Sequence, residues 1–197
     1  MTPILDQVRT HLRRHFADSE PDSASVTFLG AEPIEVLRFR GGDGLVQYVS
    51  LGCSRYPMTD PKQLVDDQTR GPRAEVVLRL RDPGPVTGIA RSLAVLAATP
   101  AVEGLVLTAD ALVDLGTPLW ARAAGRVPFT AVLLGPSDIE DLPLEPPRDP
   151  VQFLSATPIT ATEAAWVRLK GADAMRQAWQ NDGVDVLNPN RPAAQPR

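Results

Sequence analysis

The chain has 197 residues, a net charge of −4 and 43% hydrophobic residues. That length suggests one domain, or two small ones, with a proper core, and the acidic balance argues against free nucleic acid, which calls for a basic surface. A single cysteine, Cys53, excludes an intrachain disulfide and a cysteine-rich metal site and fits a reducing compartment.

The N-terminus is charged and amphipathic, without the apolar core and small-residue cleavage site of a signal peptide. No apolar run approaches the ~20 residues that span a bilayer. These features predict a soluble cytoplasmic protein. Ile4, Leu5, Val8, Leu12 and Phe16 form one helical stripe. Thr2 is the expected cap, Pro3 the first helical residue and Asp18 the end. Three strands follow, Ser25–Leu29, Ile34–Arg40 and Leu45–Leu51. Gly41-Gly42-Asp43-Gly44 joins the last two as a tight hairpin. After an irregular segment of about twenty residues, itself a hint of function, Ala74–Arg81 reads as another half-buried strand. Val76, Leu78 and Leu80 share one face, and Glu75, Arg79 and Arg81 the other.

A helix is expected from Val86 to Ala98, stopped by Pro100. Leu105–Leu107, Phe129–Leu134 and Val151–Ala156 read as strands. Thr160-Ala161-Thr162-Glu163 is a capping box. It opens a helix that Gly171 interrupts before Met175 and Trp179 and that Gly183 ends. Twenty prolines, about twice the usual share, punctuate the loops. The order predicts an α+β fold, a mixed and largely antiparallel sheet with helices packed on it. The domain is expected to occupy residues 1–187, with a disordered tail over 188–197.

No complete catalytic motif is present. His11 and His15 stand at i and i+4, but a zinc site needs a third ligand and the chain has no other histidine. They read as residues bordering the buried helix face. Cys53 lacks a nearby base and reads as a small packing residue; Ser50 and Ser54 lack a nucleophile elbow. Gly41–Gly44 lacks the ending of a phosphate loop. Asp138, Glu140, Asp141, Glu145 and Asp149 against Arg148 give residues 138–149 a net −4. This is a solvated loop or a docking surface for a basic partner.

Tyr48-Val49-Ser50-Leu51-Gly52-Cys53-Ser54 resembles the strand motif of the suppressor-of-fused family, an aromatic-x-Ser-x-Gly-x-Ser run before a long polar loop. Glu75-Val76-Val77-Leu78-Arg79-Leu80 resembles that family's next strand. Leu154-Ser155-Ala156-Thr157-Pro158-Ile159 resembles its Leu-x-x-x-Pro-Ile segment. The resemblance spans about Ser25 to Gln180, by the order and spacing of its parts. It implies an α+β domain with no cofactor and no catalytic residues. The longer animal relative binds zinc-finger transcription factors and takes up an extended peptide as an added strand between two domains, of which this chain resembles the N-terminal one. Bacterial relatives resemble immunity proteins that neutralise a toxin, often a nuclease. Tyr48 matches the family's strand aromatic, Glu75 its next-strand acid, and Asp60 falls near a loop acid implicated in partner contact.

The resulting expectation is a cytoplasmic protein-binding module that sequesters or regulates one partner, with Tyr48, Asp60, Glu75, Asp138, Glu140 and Asp141 as contact candidates. A free sheet edge would supply backbone groups to that partner. An immunity protein is the sharper alternative, its acidic residues covering a nuclease rim. The third reading is an enzyme using Asp138, Glu140 or Cys53.

Overall fold

The structure is a computed structural model that describes residues 2–17, 19–59, 67, 69–84 and 86–195. It contains α1 (Ile4–His15), β1 (Asp22–Phe28), β2 (Ala31–Arg40), β3 (Leu45–Leu51), a single 3₁₀ turn (Cys53–Arg55), β4 (Arg73–Arg81), α2 (Ile89–Glu103), β5 (Leu112–Asp114), β6 (Phe129–Pro136), β7 (Val151–Thr160), α3 (Ala161–Lys170) and α4 (Ala172–Asn181). The seven strands form one sheet in the order β1-β2-β3-β4-β7-β6-β5. Every pair is antiparallel except β4 with β7. The architecture is the expected mixed α+β sheet. No helix among the described residues is long and apolar enough to cross a membrane.

The hairpin between β2 and β3 follows its glycines: Gly44 has φ +74°, and Gly41 N–H donates to Leu45 O at 2.8 Å. Beyond it the register runs from Arg40 opposite Val46 to Glu35 opposite Leu51. Pro33 lies in β2 but past the end of this pairing, where its missing N–H breaks no bond to β3.

One sheet face carries α2. Ala74, Val76, Leu78 and Leu80 of β4 pack there with Leu93, Leu96 and Ala97. The other face carries α1, whose Val8 and Leu12 pack on Leu37, Val49, Val77 and Phe153. Further along, Ala131, Leu133 and Ile159 meet Val167, Met175 and Trp179 of α3 and α4. Helices on both faces make β3 and β4 central strands, so both of their sides are buried; the expected half-buried alternation gives way to this.

Several local expectations change. Pro3 is the cap of α1 rather than its first residue, no side chain caps it, and the helix ends at His15. Asp18 lies outside the described residues. Pro100 does not stop α2, which runs to Gly104 in the left-handed region at φ +68°. The carbonyl of Leu96, which Pro100 cannot reach for want of an N–H, accepts the Thr99 hydroxyl at 2.8 Å instead. Leu105–Leu107 is not a strand: Leu107 is buried and its N–H meets the Met58 sulfur at 3.3 Å. β5 pairs with β6 in its place.

The segment 188–195 is not a loose tail. Arg191 is 3% exposed and Ala194 8%. Arg191 forms an ion pair with Glu163 at 2.8 Å, and its guanidinium lies over the rings of Phe129 and Trp179. Glu163 is the second member of the capping box, accepting Thr160 N–H at 2.8 Å. It also accepts Trp179 Nε1–H and Ala194 N–H. One buried carboxylate thus ties β7, α3, α4 and the C-terminal segment together.

Candidate functional site

The chain turns sharply where β3 ends. Gly52 has φ +148°, and a Cβ there would stand 2.8 Å from Ile34 Cδ1 and 3.2 Å from Pro33 O. Only glycine lets the turn close onto the start of β2. The turn that follows is held at both ends by β4. Glu75, fully buried, accepts Gly52 N–H at 2.9 Å, Ser54 N–H at 3.0 Å, Ser54 Oγ–H at 2.6 Å and Ser50 Oγ–H at 2.5 Å. Arg73, two residues back and 2% exposed, donates to Ser54 O at 2.9 Å and Arg55 O at 3.0 Å. A carboxylate therefore meets the N–H end of the turn and a guanidinium its carbonyl end, the arrangement a turn dipole favours. Burial raises the Glu75 carboxyl above its ordinary range; the hydrogen bonds from Gly52, Ser50 and Ser54 pull it down without cancelling this.

This bracket shapes one wall of a cleft of roughly 550 Å³. Gly30–Glu32 and Ile34 form the second wall, and Ala97, Ala98, Pro100, Ala101 and Gly104 of α2 the third. The lining is mostly small and apolar. At its rim Glu32 accepts Arg55 and, at 3.2 Å, the Tyr56 hydroxyl. Of the seven large apolar side chains exposed among the described residues, Tyr56 lines this cleft, Leu29 and Leu105 adjoin its lining residues Gly30 and Gly104 in sequence, and Val95 and Val102 line a neighbouring groove that shares Ala98 with it. Exposed apolar groups clustered in this way mark interaction surfaces.

The six candidates do not converge. Glu75 spends its carboxylate inside the chain, so a direct contact with a partner gives way to a positioning role. Tyr48 is 7% exposed and lines a separate pocket with Arg38, Arg40 and Asp82; burial raises its phenol. Asp60 lies outside the described residues. Asp138 is exposed and pairs with Arg79 at 3.6 Å. Glu140 and Asp141 are exposed beside it. Their segment is anchored rather than loose: Ile139 is buried, Leu142 bridges Val151, and His11 Nε2 sits 2.8 Å from Glu140 O. His11 also stacks on Phe153, and His15 packs edge-on against Phe16. Of the three groups in the enzymatic reading, only Cys53 lines the cleft. Burial, then the adjacent Glu75 charge, push its thiol well above the ordinary range, away from a reactive thiolate.

Sequence reasoning missed Arg73 and Arg191, because a lone arginine in a strand or a proline-rich tail reads as surface charge. It also read Glu75 as outward-facing. The signal was present: a carboxylate on the second of two neighbouring strands, with Ser-x-Gly-x-Ser on the first.

The suppressor of fused protein family model matches residues 30–192. No curated protein matches the chain. Among solved structures, a suppressor of fused homologue from Neisseria gonorrhoeae is 18% identical, with a TM-score of 0.65 and 96% of each chain covered. A structure described as the Sufu-Fu complex is 15% identical, with a TM-score of 0.69, covering 98% of this chain and 92% of the other. Drosophila Suppressor of Fused is 15% identical with a TM-score of 0.68, and this chain covers 51% of it. The family model and the shared fold together establish that the chain belongs to the suppressor of fused family.

Proposed function

We propose that this chain is a non-enzymatic, cytoplasmic protein-binding module that sequesters or regulates one partner, and that the partner docks at the cleft between β2, the 3₁₀ turn and α2. The observation that carries the reading is the cleft itself, lined by small apolar residues with exposed Tyr56 in its wall and exposed Leu29 and Leu105 next in sequence to its lining residues Gly30 and Gly104. Membership of the family supports it, as does the fold shared with a protein solved in complex with another, Fu. Small lining residues leave room for a partner side chain, and the bracket from Arg73 and Glu75 holds the wall in place before binding.

The test compares native extract captured on the wild-type chain and on Ala101→Trp, which fills the cleft from an exposed position. The reading predicts a stoichiometric protein on the first that is missing from the second, with both variants folded by circular dichroism. A partner retained equally by both overturns the cleft as the site.

A second reading is favoured by the anchored acidic segment. Glu140, Asp141 and Glu145 are exposed on a stretch fixed by Ile139 and Leu142, which is how an immunity protein would present charge to a basic toxin. A toxin gene immediately upstream, and loss of binding on Glu140→Lys with Asp141→Lys, support it; an isolated locus opposes it.

A further inference from the structure

β1 closes one end of the sheet, with β2 on its inner side and, among the described residues, no strand on its outer side. Free edges are normally guarded by lysine, proline or inward charge. Within β1 the only charge is Asp22, and Arg38 of β2 holds it at 2.6 Å. The remaining residues, Ser-Ala-Ser-Val-Thr-Phe, leave the edge unguarded. Alongside it runs an open groove of roughly 570 Å³, walled by Ser25–Phe28 and by α2 through Arg91, Val95, Ala98, Val102 and Glu103. Val95 and Val102 are exposed, 36% and 61%. Arg91 and Glu103, at opposite ends of the helical wall, have no hydrogen-bond or ion-pair partner among the described residues. Twelve residues apart on a helix, they stand about 18 Å from each other. The groove is therefore apolar along its middle, positive at one end and negative at the other.

We propose that the occupant of this edge is a second copy of the chain, paired β1 to β1 in antiparallel fashion about a two-fold axis normal to the sheet between Val26 and Thr27, the middle of the groove's strand wall. This pairing satisfies the free backbone groups of both edges at once. It places both α2 helices on the same face, running in opposite directions. The Arg91 end of each groove then faces the Glu103 end of the other. The Val95 and Val102 stripes of the two copies wall one common trough above the joined strands. A two-fold interface must be complementary to itself, and a groove with unpaired opposite charges at its two ends meets that requirement. An unrelated strand would satisfy the edge but has no need of this arrangement. The inference does not use the cleft and stands whether or not a partner docks there.

Light scattering after size-exclusion chromatography, from low to high micromolar chain, reads the mass of the wild type, Arg91→Glu, Glu103→Arg and the double exchange. The wild type is expected at twice the monomer mass. Each single reversal should raise the dissociation constant by about tenfold or more, since like charges then face each other. The double exchange should restore the dimer. Circular dichroism on all four confirms folding, which these exposed positions should not disturb. A monomeric wild type at every concentration overturns the proposal. So does a dimer indifferent to the single reversals, or one the double exchange fails to restore.

Discussion

Glu75→Gln separates a carboxylate that holds the cleft wall from one that merely fills space. The wild-type side chain accepts four hydrogen bonds, three from Gly52 and Ser54 on one oxygen and one from Ser50 on the other. Glutamine keeps an acceptor for Gly52 and Ser54 but turns a donor towards Ser50, whose hydroxyl already accepts Val76 N–H at 2.9 Å. One buried donor is left unmet, and three bonds lose their charge assistance, at a cost of ~2 kcal/mol. Alanine would strand four donors and cost ~4 kcal/mol or more, a large share of the 5–15 kcal/mol that holds a typical domain. The sign with pH is also fixed. Because the folded carboxyl lies above its ordinary range, the native state takes up a proton before the unfolded state does as pH falls. Glu75 therefore contributes more stability in acid, fully so below the unfolded pKa, and less as pH rises through the folded value. Urea unfolding at pH 7 and at pH 5 should find Glu75→Gln less stable at both, with the larger deficit at pH 5. A deficit under about 0.5 kcal/mol, within ordinary surface variation, or one that shrinks towards acid, refutes the bracket as drawn.

Arg191→Met leaves Glu163 charged and buried, so unfolding free energy should drop by ~3–5 kcal/mol, with Glu163→Gln added in the double variant recovering part of it by denaturant titration. Glu163 carries the opposite pH sign: burial pushes its carboxyl up, but the hydrogen bonds and charge of Arg191 outweigh this and hold it below the ordinary range. That pair's contribution is present above the unfolded pKa and lost as pH falls through the depressed one, so acid unfolding of Arg191→Met should be shallower than wild type. Gly52→Ala forces a Cβ to within 2.8 Å of Ile34 Cδ1 at φ +148°; a loss of ~2 kcal/mol is expected by thermal melting, and an unchanged melt contradicts the close approach.

Elements whose instructions are local were legible. Three glycines in four residues fix the β2–β3 hairpin whatever surrounds it. Thr160 and Glu163 satisfy each other's backbone, and Gly171 separates α3 from α4. Elements decided by distant neighbours were not. β5 has three residues, too few for a period, and exists because β6 offers it an edge. Pro100 reads as a stop until the Thr99 hydroxyl is seen on the Leu96 carbonyl. Arg191 sits in a run of prolines and alanines that looks unable to fold, yet it finds a buried carboxylate 28 residues back. The family resemblance reached the right strands and offered Glu75 as a contact because it matches the family's next-strand acid; alternation set it opposite Val76, and only the helix-covered second face of the sheet shows that Glu75 is interior.

The central claim, that a partner polypeptide seats in the cleft beside α2, is tested most directly by a photo-crosslinking residue placed at position 101 in the living cell, with position 173 on the distant α4 as control. The account predicts a covalent adduct of one defined protein from position 101 and none from 173. Adducts equal at both positions, or none at 101 while the chain remains folded, contradict it.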